Sequence, residues 1–440
     1  MSTMQIATDL WSTIAQWLPK KVSIRLSELS VDINKSLRIY RLTLLKPLPN
    51  HLHTYSWASC LKKLSCTNSK ISDNDLRSLD LYELRCDNCP NITNVSFMIN
   101  LETLNCIGTG ITQASIIELN LVRFYCSGQL GITDVSFMTN LKYLECRETG
   151  ITQSGIAGLN LIELGCIKQS GITDVSFMNS LLVLQCSKSG ITQKGIVGLN
   201  LTYLECTYQL SITDVSFMTK LVTLWCSKSG ITQKGIVGLN PTYLECLYQL
   251  LITDVSFMTN LKSLWCGNSG ITQKGIAGLQ LTELNCNRQQ DITDISFMVS
   301  LRKLYCCSSG VTQAGVVGLS LEKLYCNRSR ISDVSFMRSL NTLMCDQSNI
   351  TQDGIAGLDL TFLRCNGQVG ITDVFFMKSL RTLICAGSGI TQKGISGLNL
   401  STLKCEGQVG ITDVSFMTNL KNLSCNGSGI SGNPWITIIR

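Results

Sequence analysis

The hydrophobic positions of this chain recur with a fixed spacing of 20 residues. From residue 61 onward each repeat opens with Leu-x-x-Leu-x-Cys, and only Phe124 and Pro241 depart from the pattern at its leucine positions. One repeat, which begins at Leu321, has 19 residues. A constant period of this size is typical of a solenoid, in which each repeat forms one turn that stacks on the last. We therefore expect residues 61–440 to form one domain of 19 repeats.

Two kinds of repeat alternate along the chain. In the first kind, such as Leu221–Asn240, isoleucine stands at position 11 of the repeat, and in the second kind, such as Leu201–Lys220, it stands at position 12. In both kinds the Leu at position 4 and the Cys at position 6 face the same side of a short strand, towards the core. Only about eight residues of each repeat remain for the outer side, which is too few for α-helices of ordinary length. We expect parallel strands joined by short turns or 3₁₀ segments.

Nineteen of the 22 cysteines occupy position 6 of the repeat, from Cys66 to Cys425. Cysteines in register on neighbouring strands would lie about 4.8 Å apart with their side chains parallel, which does not suit a disulfide. Free cysteine behaves as a small buried hydrophobe, so we interpret this column as core packing. The N-terminus shows no signal peptide, and free thiols then predict a reducing compartment, the cytoplasm or nucleus.

Two other features recur at the outer side of the repeats. A Thr or Ser precedes an aspartate that we expect to cap a turn, because a capping requirement recurs with every turn whereas a metal or catalytic site would not. Phe-Met pairs, from Phe97 and Met98 to Phe416 and Met417, predict core filling beneath that side. The aspartates are Asp134, Asp174, Asp214, Asp254, Asp294, Asp333, Asp373 and Asp413.

Composition argues against several classes of function. The net charge is +7 and the basic residues are scattered, so no basic stripe predicts nucleic-acid binding. No apolar run reaches the roughly 18–20 residues that cross a bilayer. His51 and His53 lie near Cys60 and Cys66, but their spacing fits no zinc pattern. No catalytic constellation or phosphate-binding loop is present, so we expect no enzyme activity, no metal and no cofactor.

The repeat resembles the leucine-rich repeat. Two departures from that pattern are the Cys in place of the third aliphatic residue and the Ser at Ser229 and Ser269, where an Asn or Cys ladder is usual. The resemblance implies an α/β leucine-rich-repeat solenoid, a curved horseshoe with a parallel β-sheet on its concave face and short turns or 3₁₀ segments on its convex face. The tail of the first kind of repeat looks like the cysteine-containing subclass common in F-box proteins, through Ile231, Thr232, Gly235, Ile236 and Leu239.

The first 45 residues lack the repeat and predict a small α-helical module. Apolar residues at helical spacing, followed by Leu-Pro and a second leucine-bearing helix, resemble an F-box. The alternative is that residues 1–60 only cap the solenoid, which any solenoid needs. We assign residues 46–60 to a linker or N-terminal cap and about 430–440 to a C-terminal cap. The residues that carry the F-box resemblance are Leu10, Ile14, Trp17, Leu18, Pro19, Leu26 and Leu29.

Positions 2, 3, 5 and 7 of each repeat are expected to point outward from the concave sheet. These positions vary between repeats, and in the middle of the chain they form an aromatic and acidic stripe. Trp and Tyr are favoured at interfaces, so we predict a partner site there. The alternative is simple copying, because 201–240 and 241–280 are near duplicates. The predicted site residues are Tyr203, Glu205, Trp225, Tyr243, Glu245, Trp265, Tyr305 and Tyr325.

The F-box resemblance implies a substrate receptor of a Skp-cullin-F-box ubiquitin ligase. Residues 8–40 would then dock on the Skp-type adaptor, and the concave face would hold the protein to be ubiquitinated. Such a receptor performs no chemistry and acts by raising the effective concentration of its target near the ligase. The alternative is a stand-alone scaffold or binding module whose N-terminus is only a cap. In neither case do we expect nucleic acid or a membrane as partner.

Overall fold

The computed structural model of the chain describes residues 41–43 and 56–430. These residues form parallel β-solenoid turns that fall into two compact units, Met1–Ile212 and Thr213–Arg440. Every turn contributes one strand of three residues, at positions 3–5 of the repeat. The short strands and the long returning segments follow from the sequence, because only the leucine and cysteine positions alternate at the period of a strand.

The first unit contains the strands β1 to β9, and each strand pairs in parallel with the next one along the chain. They are β1 (Arg41–Thr43), β2 (Lys63–Ser65), β3 (Glu83–Arg85), β4 (Thr103–Asn105), β5 (Arg123–Tyr125), β6 (Tyr143–Glu145), β7 (Glu163–Gly165), β8 (Val183–Gln185) and β9 (Tyr203–Glu205). The helical turns of this unit are α1 (Asp73–Leu76) and 3₁₀ helices over Ser56–Cys60, Gln113–Ser115, Ser154–Ile156 and Lys194–Ile196.

The second unit contains the strands β10 to β20, which also pair in parallel in chain order. They are β10 (Thr223–Trp225), β11 (Tyr243–Glu245), β12 (Ser263–Trp265), β13 (Glu283–Asn285), β14 (Lys303–Tyr305), β15 (Lys323–Tyr325), β16 (Thr342–Met344), β17 (Phe362–Arg364), β18 (Thr382–Ile384), β19 (Thr402–Lys404) and β20 (Asn422–Ser424). Its 3₁₀ helices are Lys234–Ile236, Lys274–Ile276, Ala314–Val316, Asp353–Ile355 and Lys393–Ile395.

The predicted leucine and cysteine core is confirmed. The leucine at position 4 and the cysteine at position 6 are buried in repeat after repeat, as Leu244 and Cys246 illustrate with no exposed surface. All 22 cysteines are free thiols, and in the column only Cys425, in the last repeat, is half-buried. Burial raises the pKa of column thiols such as Cys286 and Cys326, to about 12 for each. The column is therefore packed as an apolar ladder of protonated thiols.

Strand β1 places the start of the sheet before residue 61. Leu42 pairs with Leu64, so β1 extends the parallel ladder by one strand. The segment Ile39-x-x-Leu42-x-Leu44 follows the repeat pattern with leucine in place of cysteine, which is why the cysteine column did not indicate it. The helical module was predicted over residues 1–45, but residues 41–43 form strand β1 instead of a helix. The rest of that segment, both histidines and the predicted cap beyond residue 430 lie outside the described residues.

The prediction for the Phe-Met pairs is wrong for phenylalanine. Met178 is buried, whereas Phe177 keeps 38% of its surface exposed. A tight turn explains the difference, because the amide of Met178 donates to the carbonyl of Val175 at 3.0 Å. Such a turn directs its first and last residues to the core and the residues between them to solvent. The outer side therefore carries a phenylalanine at every second turn.

The recurring aspartates cap turns, as predicted. Asp254 Oδ1 accepts hydrogen bonds from the amide and the hydroxyl of Ser256, at 2.9 and 2.7 Å. The glutamine of the preceding repeat adds a second connection, since Gln233 Oε1 accepts from the amides of Thr253 and Asp254, both at 2.9 Å. These bonds satisfy backbone donors that no helix or strand uses.

Position 9 of the repeat forms a regular buried polar ladder, although Ser229 and Ser269 replace the usual Asn or Cys there. Serine or threonine occupies it in the first kind of repeat and glutamine in most of the second kind. Gln249, 3% exposed, donates through Nε2 to the carbonyls of Ser229 and Ile231 at 3.1 and 2.9 Å. The long glutamine side chain matches the extra residue in its own loop. In the 19-residue repeat that residue is missing, and Ser329 takes the place of glutamine.

Candidate partner-binding surface

The residues at positions 3 and 5 of each repeat are the first and last residues of its strand. They point away from the core and align across neighbouring strands. In the second unit the register places Trp225 beside Glu245, and Glu245 beside Trp265. Farther along, Tyr305 lies beside Tyr325. Six of the eight predicted site residues belong to this unit, and Tyr203 and Glu205 belong to β9 of the first unit.

The structure brings the aromatic side chains of the second unit into contact. The ring centroids of Tyr305 and Tyr325 are 4.5 Å apart with an interplanar angle of 12°, which is a stacked arrangement. Trp265 lies 5.8 Å from Tyr305, and Trp225 lies 6.0 Å from Tyr243. We call Trp265, Tyr305 and Tyr325 the aromatic cluster. Aromatic pairs at these distances hold one another in place and so form a preorganised apolar surface.

The rings lie on the outward face of the sheet and are half-buried there. They cover one another and the shorter side chains between them, and Asn285, which lies between Trp265 and Tyr305 in the sheet, is only 7% exposed. Trp265 Nε1 and Ser263 Oγ are buried without a hydrogen-bond partner among the described residues. Buried polar atoms of this kind are rare in folded proteins. Two polar atoms without hydrogen-bond partners therefore lie beneath the apolar surface of the rings.

The acidic members of the predicted site are held by serines of the preceding turn. Ser227 Oγ donates to Glu245 Oε1 at 3.0 Å and also accepts from the amide of Leu247 at 2.9 Å. Ser187 makes the same 3.0 Å bond to Glu205 in the first unit. Two hydrogen-bonded carboxylates at equivalent positions are presented in fixed orientations.

The first unit carries a further carboxylate that the prediction left out. Glu145 lies on β6, and burial raises the pKa of its carboxyl. The side chain extends over Gly165 of the next strand, where an added Cβ would lie 1.8 Å from its Oε2. Ser127 Oγ donates to the other oxygen at 3.3 Å. The outward face of this unit is therefore acidic around β6 to β9, where Glu163 and Glu205 follow.

A groove runs along the second unit where the chain leaves the strands, at positions 5, 7 and 8 of the repeats. It has a volume of about 810 Å³ and extends from the turn of Leu247 to that of Ala386. We call it the arginine groove. Its polar lining includes Asn287, Arg288, Asn327, Arg328, Asp346 and Arg364. None of these residues belongs to the predicted partner site.

One feature of the sequence, the choice of residues at position 8, reflects the turn that borders this groove. The backbone there is left-handed throughout, with φ of 59° at Arg288 and 56° at Arg328. β-branched residues tolerate this conformation poorly, and none of the 19 repeats has one at position 8. The sequence does not show that these residues line one groove, because they are about 20 or 40 positions apart along the chain.

Two other kinds of feature to consider in the described part of the chain are a metal site and a membrane-spanning helix. No group of three or more His, Cys, Asp or Glu side chains there could hold a metal ion. Among the same residues, no helix is long and apolar enough to cross a bilayer.

The parallel three-residue strands, the leucine and cysteine core and the short outer 3₁₀ helices define a leucine-rich-repeat solenoid. The chain matches no protein-family model and no curated protein. It is similar to solved structures. The functional domain of InlJ from Listeria monocytogenes, described as including a cysteine ladder, shares 24% identity at a TM-score of 0.44, with 80% of this chain and 74% of that one covered.

Two further structures show the same kind of likeness. The leucine-rich-repeat protein LIC12759 from Leptospira interrogans shares 16% identity at a TM-score of 0.42, with 86% of this chain and 89% of that one covered. The ectodomain of the receptor kinase GASSHO1/SCHENGEN3 from Arabidopsis thaliana, in complex with CASPARIAN STRIP INTEGRITY FACTOR 2, shares 15% sequence identity at a TM-score of 0.48. That match covers 85% of this chain and 51% of the ectodomain. We draw no functional conclusion from these likenesses.

Proposed function

We propose that this chain is a non-catalytic leucine-rich-repeat binding protein that holds a protein partner on the outward face of β10 to β15. The observation that carries the proposal is the aromatic cluster. Its three rings contribute nothing to the solenoid core, yet they are packed against one another in a fixed arrangement on the sheet. Preorganised aromatic side chains on a rigid surface are the residues that most often dominate the energy of a protein interface.

The repeat architecture supports the same proposal. Core positions are nearly invariant along the chain, whereas positions 3 and 5 change from one strand to the next. The solenoid thus keeps its fold while it presents a different side chain at each step, which allows an extended surface to match one partner. The duplication of 201–240 in 241–280 explains the presence of two tryptophans, but it does not explain the tyrosine pair at β14 and β15.

Replacing both tryptophans with alanine tests this proposal. We expect Trp225→Ala with Trp265→Ala to reduce capture of the specific partner by the full chain at least about tenfold, because each truncation removes a candidate hot-spot side chain. Capture is measured by affinity purification from cells followed by quantitative mass spectrometry. The melting temperature and circular dichroism spectrum should stay close to those of the unmodified chain, since neither ring belongs to the core.

The matched control changes two aromatic residues on the outer side. Phe257 and Phe336 are 36% and 37% exposed, and Phe257→Ala with Phe336→Ala removes similar apolar surface away from the sheet. This control should leave capture within about twofold of the unmodified chain, because exposed residues away from an interface contribute little. Undiminished capture by the tryptophan variant, or equal losses in both variants, would contradict the assignment of the surface.

The ligase role is a finer proposal that rests on residues 8–40, outside the described part of the chain. In this version the N-terminal segment binds the Skp-type adaptor, and the captured partner is the ubiquitination target. Purified adaptor should then bind the full chain, and Trp17→Ala with Leu26→Ala should abolish that binding. If the adaptor does not bind, the stand-alone binding module remains, and partner capture on the sheet is unaffected.

A further inference from the structure

We infer that the arginine groove binds an extended acidic peptide segment of the partner, through carboxylates that meet the Arg288 and Arg328 guanidinium groups. This inference rests on the proposed function and adds the chemistry of the partner. The groove is lined by three guanidinium groups and one carboxylate. The lining therefore has more cationic hydrogen-bond donors than carboxylate acceptors, and this excess indicates an anionic ligand.

The single carboxylate is already neutralised within the protein. Asp346 Oδ2 accepts from Arg364 Nε at 2.6 Å, and its Oδ1 accepts from the backbone amide of Asn366 at 2.7 Å. Asp346 is therefore an internal structural group, and it leaves the remaining two arginines without a carboxylate in the groove. Arg328 uses only Nε, which donates to Gln347 Oε1 at 2.9 Å. The Arg288 side chain is exposed and makes no hydrogen bond or ion pair with any of the described residues.

Two asparagines add further donors. Asn287 Oδ1 accepts from the amide of Cys307 at 2.7 Å, and Asn327 Oδ1 accepts from the amide of Asp346 at 2.8 Å. These bonds occupy the carbonyl end of each side chain and fix its orientation. Each Nδ2 group remains available as a donor on the groove side of the turn. The lining thus offers guanidinium and amide donors together, a set that matches carboxylate oxygens.

Position 8, which Arg288 and Arg328 occupy, accepts both glycine and longer side chains. The backbone there is left-handed, and glycine adopts that conformation without strain, as Gly367 does with φ of 70°. Six of the 19 repeats have glycine at this position. A non-glycine residue there is destabilising by roughly 1 kcal/mol. The other 13 repeats have a non-glycine residue there, so this strain is common to the repeats. Arg288 and Arg328 differ from Lys228 in that neither pairs with an aromatic ring, whereas Lys228 lies 4.5 Å from the ring centroid of Tyr248.

The dimensions of the groove favour an extended chain over a compact ligand. From the turn of Leu247 to the turn of Ala386 there are seven steps between strands. At about 4.8 Å for each step this is about 34 Å, the length of about ten extended residues. Arg288 and Arg328 are two turns apart, which corresponds to about 10 Å and to carboxylates about three residues apart in such a segment.

The aromatic cluster beside the groove favours peptide over single-stranded nucleic acid. Base stacking requires ring faces that are open to the ligand. Tyr305 lies between Trp265 and Tyr325, at 5.8 and 4.5 Å, so no base fits between these rings. The apolar side chains of a peptide can rest on the cluster while its carboxylates reach the groove.

Selection from a display library of random ten-residue peptides tests the inference with the full chain. The peptides enriched on the unmodified chain should carry two or more Asp or Glu residues. Their affinity, measured by fluorescence anisotropy, should fall at least about tenfold in Arg288→Gln with Arg328→Gln, because two charge-assisted contacts are lost. Arg330→Gln is the matched control, since Arg330 is exposed in the same repeat as Arg328 but lies outside the groove lining, and its affinity should be unchanged.

Several results would overturn the inference. These are no enrichment, enrichment of neutral or basic peptides, acidic peptides that bind the double variant as tightly, and a deoxythymidine decamer that binds the unmodified chain more tightly than the selected peptides. Each of these leaves the tryptophan experiment intact. If capture of the partner still depends on Trp225 and Trp265, the binding function stands and only the chemistry of the groove is wrong.

Discussion

Gly275→Ala should destabilise the full chain by about 3 kcal/mol, at the upper end of the usual cost of overpacking. A Cβ at this position would lie 2.1 Å from the carbonyl oxygen of Thr253 and 3.0 Å from Cα of Asp254. Both are backbone atoms of the preceding turn, so no side-chain rotation relieves the contact. The same approach allows the amide of Val255 to donate to the carbonyl of Gly275 at 2.9 Å. Separating the turns to admit the methyl group would therefore also weaken this bond.

The chain itself shows what a side chain requires at this position. In the repeat that begins at Leu101, serine replaces the glycine, and its helical turn runs from Gln113 to Ser115 instead of extending to the following isoleucine. Ser115 Oγ donates to the carbonyl of Thr93 at 2.6 Å, so the hydroxyl bridges the two turns. Alanine has no such group, and for this reason we expect Gly275→Ser to be less destabilising than Gly275→Ala.

Denaturant unfolding followed by circular dichroism measures the effect. The control is Lys274→Ala, at the exposed neighbouring position, which should shift the midpoint by no more than surface substitutions usually do, about 0.5 kcal/mol. Adjacent turns of a repeat protein unfold together only in part, so the first transition is the one to compare. A midpoint for Gly275→Ala equal to that of the control would show that the turns are not in the close contact described.

Gln249→Met destabilises the chain by about 2 kcal/mol, because it keeps the length of the side chain and removes its donors. Gln249 Nε2 donates to two carbonyls and to Ser229 Oγ at 3.0 Å, and the side chain is buried. Methionine leaves these acceptors without a partner and out of reach of water. The expected result is a lower denaturation midpoint for Gln249→Met than for the unmodified chain.

Gln290→Met is the matched control for this substitution. Gln290 Nε2 donates to the carbonyl of Ser308 at 2.6 Å, but the side chain is exposed, so water replaces the lost donor. The control should therefore remain within about 0.5 kcal/mol of the unmodified chain. If both variants lose the same stability, burial of the position-9 ladder does not matter, and its alternation of serine and glutamine needs another explanation.

Much of the fold could be predicted because the signal that specifies it is local and repeated. Leucine at position 4 and cysteine at position 6 define strand, register and core within one repeat, and the structure places them as expected. The outward direction of Trp265 and Tyr305 follows from the same alternation. Periodicity alone could not show that Phe177 faces solvent, since a turn of three or four residues decides that direction.

The features that were missed depend on contacts between turns. The role of Gln249 is visible only when its amide meets the carbonyls of the preceding repeat. The arginine groove likewise joins Arg288 and Arg328 across two turns, and its net charge appears only after Asp346 is paired with Arg364. The half-burial of Trp265 results from packing against a side chain 40 residues later. A single repeat contains no information about such neighbours.

We infer that the cysteine column forms the dry interior of a solenoid and that the outward positions carry the function. Thiol reactivity tests the first part of this inference most directly. Of the 22 thiols, 19 are buried, and only Cys60, Cys307 and Cys425 are half-buried. The thiolate is the reactive form, and burial raises the pKa of column thiols such as Cys286 and Cys326. Ellman's reagent at pH 8 should therefore find few of the buried thiols ionised or accessible. The native chain should release colour from at most three thiols, and all 22 should react after denaturation without reductant. Rapid reaction of most thiols in the native chain, or fewer than 22 after denaturation, would contradict a packed core of free cysteines.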